Sequence, residues 1–274
     1  VRHTYMAKAF NYLMRQGKAQ FDEGGLSHDV INSAKKHGLV PINAFVGLPK
    51  GAEKHDHKEL VKELQSLLAN YTDPEKKLDP KWKQEVNAIL DQHLGKDVTS
   101  FVYEGKNYTP KSFLEMTKLN LNDYITISSF THEPFYEKFI LNVPDNFSNE
   151  SFYNLPLDEF VSNIDYALDN GFTLSYDADV SEKTFSSKHG IAVLPKSETD
   201  LIVAKTQIVP EMEVSQEFRQ EEFENFNTKD DHLMHIVGKI ADQNGTIYYK
   251  VKNSWGSENN GRDGYIYMSL PYLK

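Results

Sequence analysis

The sequence predicts an α+β fold, with helices in its first half and an antiparallel, strand-rich region at its C-terminal end. Apolar residues recur at helical spacing in two stretches of residues 55–95. Residues 236–269, in contrast, hold three strand-like segments separated by turns. Early helices followed by later strands are typical of α+β proteins, so we expect two halves of different character.

The first part of the chain is expected to hold two helices. Apolar and aromatic residues from Val1 to Phe10 fall at helical spacings. Asp22-Glu23-Gly24-Gly25 then predicts a turn, after which Ser27 is expected to cap a second helix that ends at Gly38. One face of this second helix would carry its apolar residues, Val30, Ile31 and Ala34.

Two amphipathic helices are predicted within residues 55–95, separated by Thr72-Asp73-Pro74. The apolar stripe of the first consists of Leu60, Val61, Leu64, Leu67 and Leu68. The stripe of the second consists of Trp82, Val86, Ile89, Leu90 and Leu94. After them, Tyr103–Tyr108 predicts a small hairpin, and Thr109-Pro110 predicts the cap and first turn of a helix through Met116.

The second half mixes strands, a helix and loops. We expect strands at Ile125–Phe130 and Phe172–Tyr176, flanking a helix at Leu157–Leu168, and surface loops over Ser181–Pro210. The Asn244-Gly245 pair favours a tight hairpin turn between the first two of the C-terminal strands. Those strands are predicted at Ile236–Ala241, Thr246–Lys252 and Gly264–Ser269.

Composition excludes several classes of function. The chain has 274 residues and a formal net charge of −10, which opposes binding to a phosphate backbone, so we expect no nucleic-acid partner. Apolar runs are too short for a membrane-spanning segment. There is no cysteine, which excludes a disulfide scaffold, a cysteine-ligated metal and a thiolate nucleophile within these residues.

One pair of residues in the C-terminal hairpin has the chemistry of a catalytic site. His232 precedes the first predicted strand and Asn253 follows the second, so an antiparallel hairpin brings them to the same end. An asparagine carbonyl that accepts from one ring nitrogen would leave the other nitrogen free to exchange a proton with a nucleophile. Trp255 is placed to shield that hydrogen bond. On spacing alone, a packed or surface histidine and a strand-ending turn are the favoured interpretation of these residues.

The chain resembles the papain-like cysteine peptidases, and in particular their bleomycin hydrolase and aminopeptidase C branch. The histidine and asparagine motifs of these enzymes are similar to Asp231-His232 and Asn253-Ser254-Trp255-Gly256. The wider pattern matches from about Glu23 to Tyr267 in the same order. It comprises Gly24-Gly25, Lys36-His37-Gly38-Leu39-Val40-Pro41, a helical insertion, Asp179-Val180-Ser181, His232-Leu233-Met234 and Val251-Lys252-Asn253-Ser254-Trp255-Gly256.

The resemblance implies a role for each matching residue. His232 would be the general base and acid, Asn253 its orienting partner and Trp255 the cover over that pair. Gly24 and Gly25 would border the substrate cleft, where a peptide backbone can approach closely and bind in an extended form. An ordinary turn before a helix is the alternative interpretation of the two glycines.

The sequence departs from the family in lacking the cysteine nucleophile and the glutamine that accompanies it. We expect the nucleophile helix to lie upstream of Val1, because the chain starts within a helix pattern and retains His232 and Asn253. The alternative is a non-catalytic peptide-binding relative. Ser27 and Ser33 follow the glycine pair, whereas the family's nucleophile precedes it, so neither is expected to replace the cysteine. The 274 residues alone should therefore be inactive.

The resemblance implies a papain-like fold: a helical lobe and a strand-rich lobe with a cleft between them, and a helical insertion. We expect residues 1–54 to complete the helical lobe, 55–123 to form the insertion and 124–274 to form the strand-rich lobe, all within one peptidase domain.

The branch also implies a peptidase that acts as an aminopeptidase on peptide substrates, without a cofactor, and that can form a homo-oligomer. The sequence does not identify the compartment: it is compatible with a cytoplasmic location, and with a periplasmic or secreted one if the preceding segment carries a signal peptide. His55-Asp56-His57 and His232 with His235 have spacings that metal ligands sometimes show. We expect them to be solvated side chains instead, so no metal site is predicted. The pair Asp177 and Asp179 is interpreted as a strand end or loop.

Overall fold

The computed structural model describes residues 1–48, 51–73, 75 and 78–274, and these fall into two compact units. The helical unit comprises Val1–Ile125 with Asn142–Glu150, and the sheet unit comprises Thr126–Leu141 with Ser151–Lys274. The first holds most of the α-helices of the described residues and the second most of their strands, which confirms the predicted α+β class. The division at residues 54 and 123 stays a prediction.

The helical unit contains five α-helices and a hairpin within the described part of the chain. The helices are α1 Arg2–Met14, α2 Ser27–His37, α3 Lys58–Ala69, α4 Trp82–Leu94 and α5 Pro110–Thr117. The predicted hairpin is present as β1 Phe101–Tyr103 and β2 Lys106–Tyr108. Thr109 caps α5 as expected by accepting a hydrogen bond from Ser112 N.

The core of the helical unit forms where α1, α3 and α4 meet. Both predicted stripes face it, and their completely buried members include Leu60, Leu64, Leu68, Val86 and Leu90. Burial of each such side chain contributes about 1.5–3 kcal/mol, so these two stripes account for much of the stability of the unit. Thr72 and Asp73 lie after α3 outside any helix, as predicted, whereas Pro74 lies outside the described residues.

The start of α2 differs from the prediction. Leu26 occupies the cap position and Ser27 is the first helical residue. The carboxylate of Asp29 accepts from Leu26 N at 2.9 Å, because an acidic side chain in the first turn satisfies an unpaired N–H and complements the helix dipole. Val30 is 65% exposed, since the buried face of α2 is turned to carry Ala34 with His28 and Asp29.

The sheet unit is built around a five-stranded sheet in the order β6-β8-β9-β10-β7. Its strands are β6 Leu174–Ala178, β7 Ile191–Ala192, β8 His232–Ala241, β9 Ile247–Lys252 and β10 Tyr265–Ser269. All neighbours are antiparallel except β7 and β10. Helix α6, Leu157–Asp169, lays Phe160 and Ile164 into the sheet's apolar core with Ile236 and Val251.

Shorter elements complete the sheet unit. β3 Ile127–Ser128, β4 Lys138–Phe139 and β5 Phe152–Asn154 form a three-stranded sheet. Helices α7 Gln216–Glu224 and α8 Leu270–Leu273 follow β7 and β10 respectively. None of the helices in the described ranges is both long and apolar enough to span a membrane.

Two strand predictions and one loop prediction for the sheet unit need correction. The strand expected at Ile125–Phe130 is limited to Ile127–Ser128. β8 begins at His232, four residues before the predicted start. It is longer because it pairs with β6, and in this pairing Ala178 lies opposite His232. The predicted surface loops over Ser181–Pro210 contain β7 and the buried residues Ala192 and Val193. A strand of two residues shows no periodicity, so only its pairing with β10 defines it.

Candidate active site

The predicted partners His232 and Asn253 meet at one end of the β8–β9 hairpin. Their Nε2 and Oδ1 atoms lie 2.9 Å apart. The antiparallel register places His235 opposite Lys252, so the start of β8 and the end of β9 coincide. The contact predicted from the hairpin is therefore present, although His232 is the first residue of β8 rather than a residue before it.

A backbone donor determines which way the Asn253 amide points. Ser254 N lies 2.7 Å from Oδ1 of Asn253, and a backbone N–H can only donate, so the atom facing it must be the carbonyl oxygen. The same oxygen faces Nε2 of His232, which must then carry the proton. In the neutral imidazole this contact selects the Nε2–H tautomer and leaves Nδ1 as the ring nitrogen that can accept a proton.

The hydrogen-bonded pair is shielded from solvent on one side. Asn253 is only 8% exposed, and the Trp255 ring lies 4.8 Å from the imidazole centroid at an angle of 34°. Trp255 itself is 48% exposed, so its ring covers His232 without being part of the core. The turn that carries Trp255 packs against Gly264, where a Cβ would lie 2.6 Å from the carbonyl oxygen of Gly256.

Carboxylates surround the backbone that leads into His232. Asp179 is buried and accepts from Lys229 N and Ser181 N, both at 2.7 Å, so it ties the end of β6 to the segment before β8. Partial burial and then the nearby Asp179 carboxylate raise the pKa of Asp231. Asp177 belongs to β6 and Asp179 follows it, in agreement with their interpretation as a strand end.

The two glycines of the predicted cleft lie in the helical unit, between α1 and α2, and the structure distinguishes them. A Cβ on Gly24 would overlap the side-chain carboxylate of Asp145, so any side chain at position 24 must displace that carboxylate. A Cβ on Gly25 would meet its nearest atom, Oδ2 of Asp29, at 3.6 Å, which is an ordinary contact. Packing therefore explains Gly24 but does not explain Gly25.

Three residues around the glycines were not identified from the sequence. Lys8 donates to the carbonyl oxygens of Asp22 and Gly24, Asp145 packs on Gly24, and Phe147 lies near Gly25. Lys8 shares the buried face of α1 with Tyr5 and Ala9, and a lysine on an apolar stripe is a signal that the sequence does contain. Asp145 and Phe147 are distant in the chain and give no local signal.

The histidine pairs considered as metal ligands have other partners. Nδ1 of His57 lies 3.1 Å from the Tyr5 hydroxyl, so this partly buried side chain is not simply solvated as expected. His235 is exposed, and its Nε2 lies 2.7 Å from the Thr173 hydroxyl, on the opposite face of β8 from His232. Within the described ranges, no three side chains of the metal-ligating types are grouped for a metal ion.

Two sequence comparisons find similarity over nearly the whole chain. A sequence model described as the Peptidase C1-like family matches residues 9–274. Aminopeptidase G of Lactobacillus delbrueckii subsp. lactis is 22% identical over 287 residues, which cover 95% of this chain and 63% of that protein. The chain thus spans less than two thirds of the length of this curated relative.

A crystal structure shares the fold. PepW from Lactobacillus rhamnosis HN001 (DR20), determined as the selenomethionine derivative, matches with a TM-score of 0.70 and 20% identity. The match covers 99% of this chain and 67% of that one.

Proposed function

This chain belongs to the peptidase C1-like family, and we propose that the protein containing it is a cysteine-type aminopeptidase in which His232 and Asn253 serve the nucleophile. The observation that carries the proposal is the hydrogen bond from His232 Nε2 to Asn253 Oδ1, with Ser254 N fixing the amide. It leaves Nδ1 of His232 as the single proton acceptor of the ring, which is the state a general base requires.

The proposed reaction proceeds by acyl transfer. The thiol comes from a segment outside these 274 residues, since they include no cysteine. Nδ1 of His232 takes the thiol proton, and the thiolate attacks the carbonyl carbon of the peptide bond. His232 then gives that proton to the leaving amine as the C–N bond breaks. A water molecule, deprotonated by His232, hydrolyses the thioester and releases the acid and the thiol.

Asn253 and Trp255 assist His232 in this scheme. The asparagine keeps the His232 ring in one orientation during each proton transfer. Its side-chain carbonyl accepts from Nε2–H both when the ring is neutral and when it is charged. The Trp255 ring limits the access of water to that bond. Gly24 and Gly25 are proposed to bind the substrate backbone. Aminopeptidase rather than endopeptidase specificity is supported by the name of the similar aminopeptidase G.

The proposal is tested on the protein expressed from its complete gene. It should cleave aminoacyl-coumarin substrates with a free amino group and be labelled by a thiol-directed epoxide, whereas the 274-residue chain alone should do neither. His232→Ala should abolish both activities. His235→Ala is the matched control, because this exposed histidine lies on the same strand and should leave turnover unchanged.

Each outcome separates the candidates. Retained turnover in His232→Ala moves the active site elsewhere. Cleavage of N-blocked peptides at the same rate would replace the aminopeptidase assignment with an endopeptidase one. A gene that encodes no cysteine before Val1 would support the second candidate, a non-catalytic peptide-binding protein, for which the absence of cysteine in the chain is the favouring observation.

A further inference from the structure

Lys8 is an unusual residue because its ammonium group is buried on the core-facing side of α1. The residue is 5% exposed and lies on the helix face that buries Tyr5 and Ala9. Burial of a lysine is costly unless its N–H groups are hydrogen-bonded. Burial lowers the pKa of Lys8, an effect opposed first by the nearby Asp145 carboxylate and then by that of Asp29.

Lys8 donates hydrogen bonds to two backbone carbonyl oxygens. Its Nζ donates to the carbonyl of Asp22 at 2.7 Å and to the carbonyl of Gly24. Lys8 Nζ also lies 5.2 Å from the centroid of the Phe147 ring. A single buried cation thus holds the carbonyls of Asp22 and Gly24, on either side of Glu23.

The opposite side of Gly24 is held as well. The Asp145 carboxylate occupies the space that a side chain at position 24 would need. The segment that carries Asp145 is anchored to α1, since Asn11 Nδ2 donates to the carbonyl of Phe147 at 2.8 Å. Gly24 is therefore fixed between Lys8 and Asp145.

Fixing the carbonyl of Gly24 also fixes the N–H of Gly25. The two groups share one planar peptide unit and point in opposite directions across it. With the oxygen of Gly24 turned towards Lys8, the N–H of Gly25 points away from the lysine. Among the described residues, this N–H has no hydrogen-bond acceptor, and Gly25 is partly exposed.

We propose that Lys8 is a positioning residue for peptide binding: it holds the carbonyl of Gly24 so that the N–H of Gly25 is directed at a carbonyl oxygen of an extended substrate. This inference rests on the proposed function, since it assigns the glycine backbone to a peptide ligand. Lys8 does not touch the substrate. Lys8 affects affinity indirectly, because it orients the peptide unit that joins Gly24 to Gly25.

The test uses the full-length protein with the variant Lys8→Met. The control variant is Lys83→Met, because Lys83 is an exposed lysine on α4. The probe is a non-hydrolysable tripeptide amide, titrated while the ¹⁵N-labelled glycine amides are followed by NMR. We expect Lys8→Met to weaken binding about tenfold, the scale of a lost charge-assisted hydrogen bond, and to shift the Gly25 amide before peptide is added. With a hydrolysable substrate, KM should rise by a similar factor with kcat nearly unchanged.

A second variant keeps the test decisive if Lys8→Met does not fold. Lys8→Gln retains an N–H donor without the charge and should show a smaller loss of affinity and a smaller shift of Gly25. Unchanged affinity and an unchanged Gly25 amide in a folded Lys8 variant would refute the role of Lys8 while leaving the proposed function intact. Failure of the wild-type protein to bind the tripeptide, or binding that leaves Gly25 unperturbed, would instead count against the substrate cleft itself.

Discussion

Nε2 of His232 and Oδ1 of Asn253 are 2.9 Å apart although the residues are 21 positions apart in sequence. The β8–β9 hairpin produces this contact, and Ser254 N holds the asparagine oxygen in place. The orientation of the pair is therefore set before any substrate binds.

Removing the asparagine oxygen should release the imidazole. We expect Asn253→Ala to lower kcat/KM of the complete protein by about 10- to 100-fold, because general acid–base catalysis depends on the orientation of the base. The ¹⁵N shifts of the His232 ring should change from a pure Nε2–H tautomer to a mixture. Asn253→Asp keeps the acceptor and should preserve the tautomer. A single tautomer in Asn253→Ala would contradict this explanation.

Truncation of the two tryptophans should affect different properties: stability for Trp82 and activity for Trp255. Trp82 is 3% exposed in the core of the helical unit, so Trp82→Ala should cost about 3–5 kcal/mol of unfolding free energy. Trp255 is 48% exposed, so Trp255→Ala should change stability by less than about 1 kcal/mol yet reduce kcat/KM by about tenfold through water access to His232. Denaturant titration and kinetics on both variants measure this contrast. Equal stability losses would argue that Trp255 is a packing residue only.

The two glycines should also differ. Gly24→Ala must displace the Asp145 carboxylate and should destabilise the protein by about 1–3 kcal/mol, as overpacking does. Gly25→Ala has room for its methyl group and should leave the unfolding free energy nearly unchanged while raising KM. Adding Asp145→Gly to Gly24→Ala should restore part of the lost stability, which denaturant unfolding of the double variant will show. The absence of such a rescue would contradict the packing explanation of Gly24.

The helical unit should lose stability in mild acid. The His3 and His37 rings stack with centroids 3.7 Å apart, and burial first, then neighbouring positive charges, lowers the pKa of both. For His3, the Asp97 carboxylate opposes the shift. A lowered folded-state pKa means that the unfolded chain binds more protons. The stabilising contribution is therefore complete above the ordinary histidine pKa and is lost as the pH falls from that value towards the folded-state pKa.

Trp82 fluorescence in a Trp255→Phe background reports this transition, because Trp82 lies in the helical unit. The double variant His3→Gln and His37→Gln should unfold with a weaker dependence on pH below about 6.5, the ordinary histidine pKa. An identical pH dependence in wild type and double variant would place the acid-sensitive groups elsewhere.

The sequence by itself determined the α+β class, the helices α1, α3, α4 and α6, and the meeting of His232 with Asn253. These features follow from short-range rules: apolar spacing decides which residues form a helix, and an Asn-Gly turn brings the ends of a hairpin together.

Only the tertiary structure decided where β8 starts, that β7 exists, and why position 24 is glycine. β8 begins at His232 because β6 pairs with it, and β7 is defined by its pairing with β10. Lys8 and Asp145 fix Gly24 from distant parts of the chain. No local pattern encodes such contacts, because they arise only when separate segments pack together and bury their polar groups against one another.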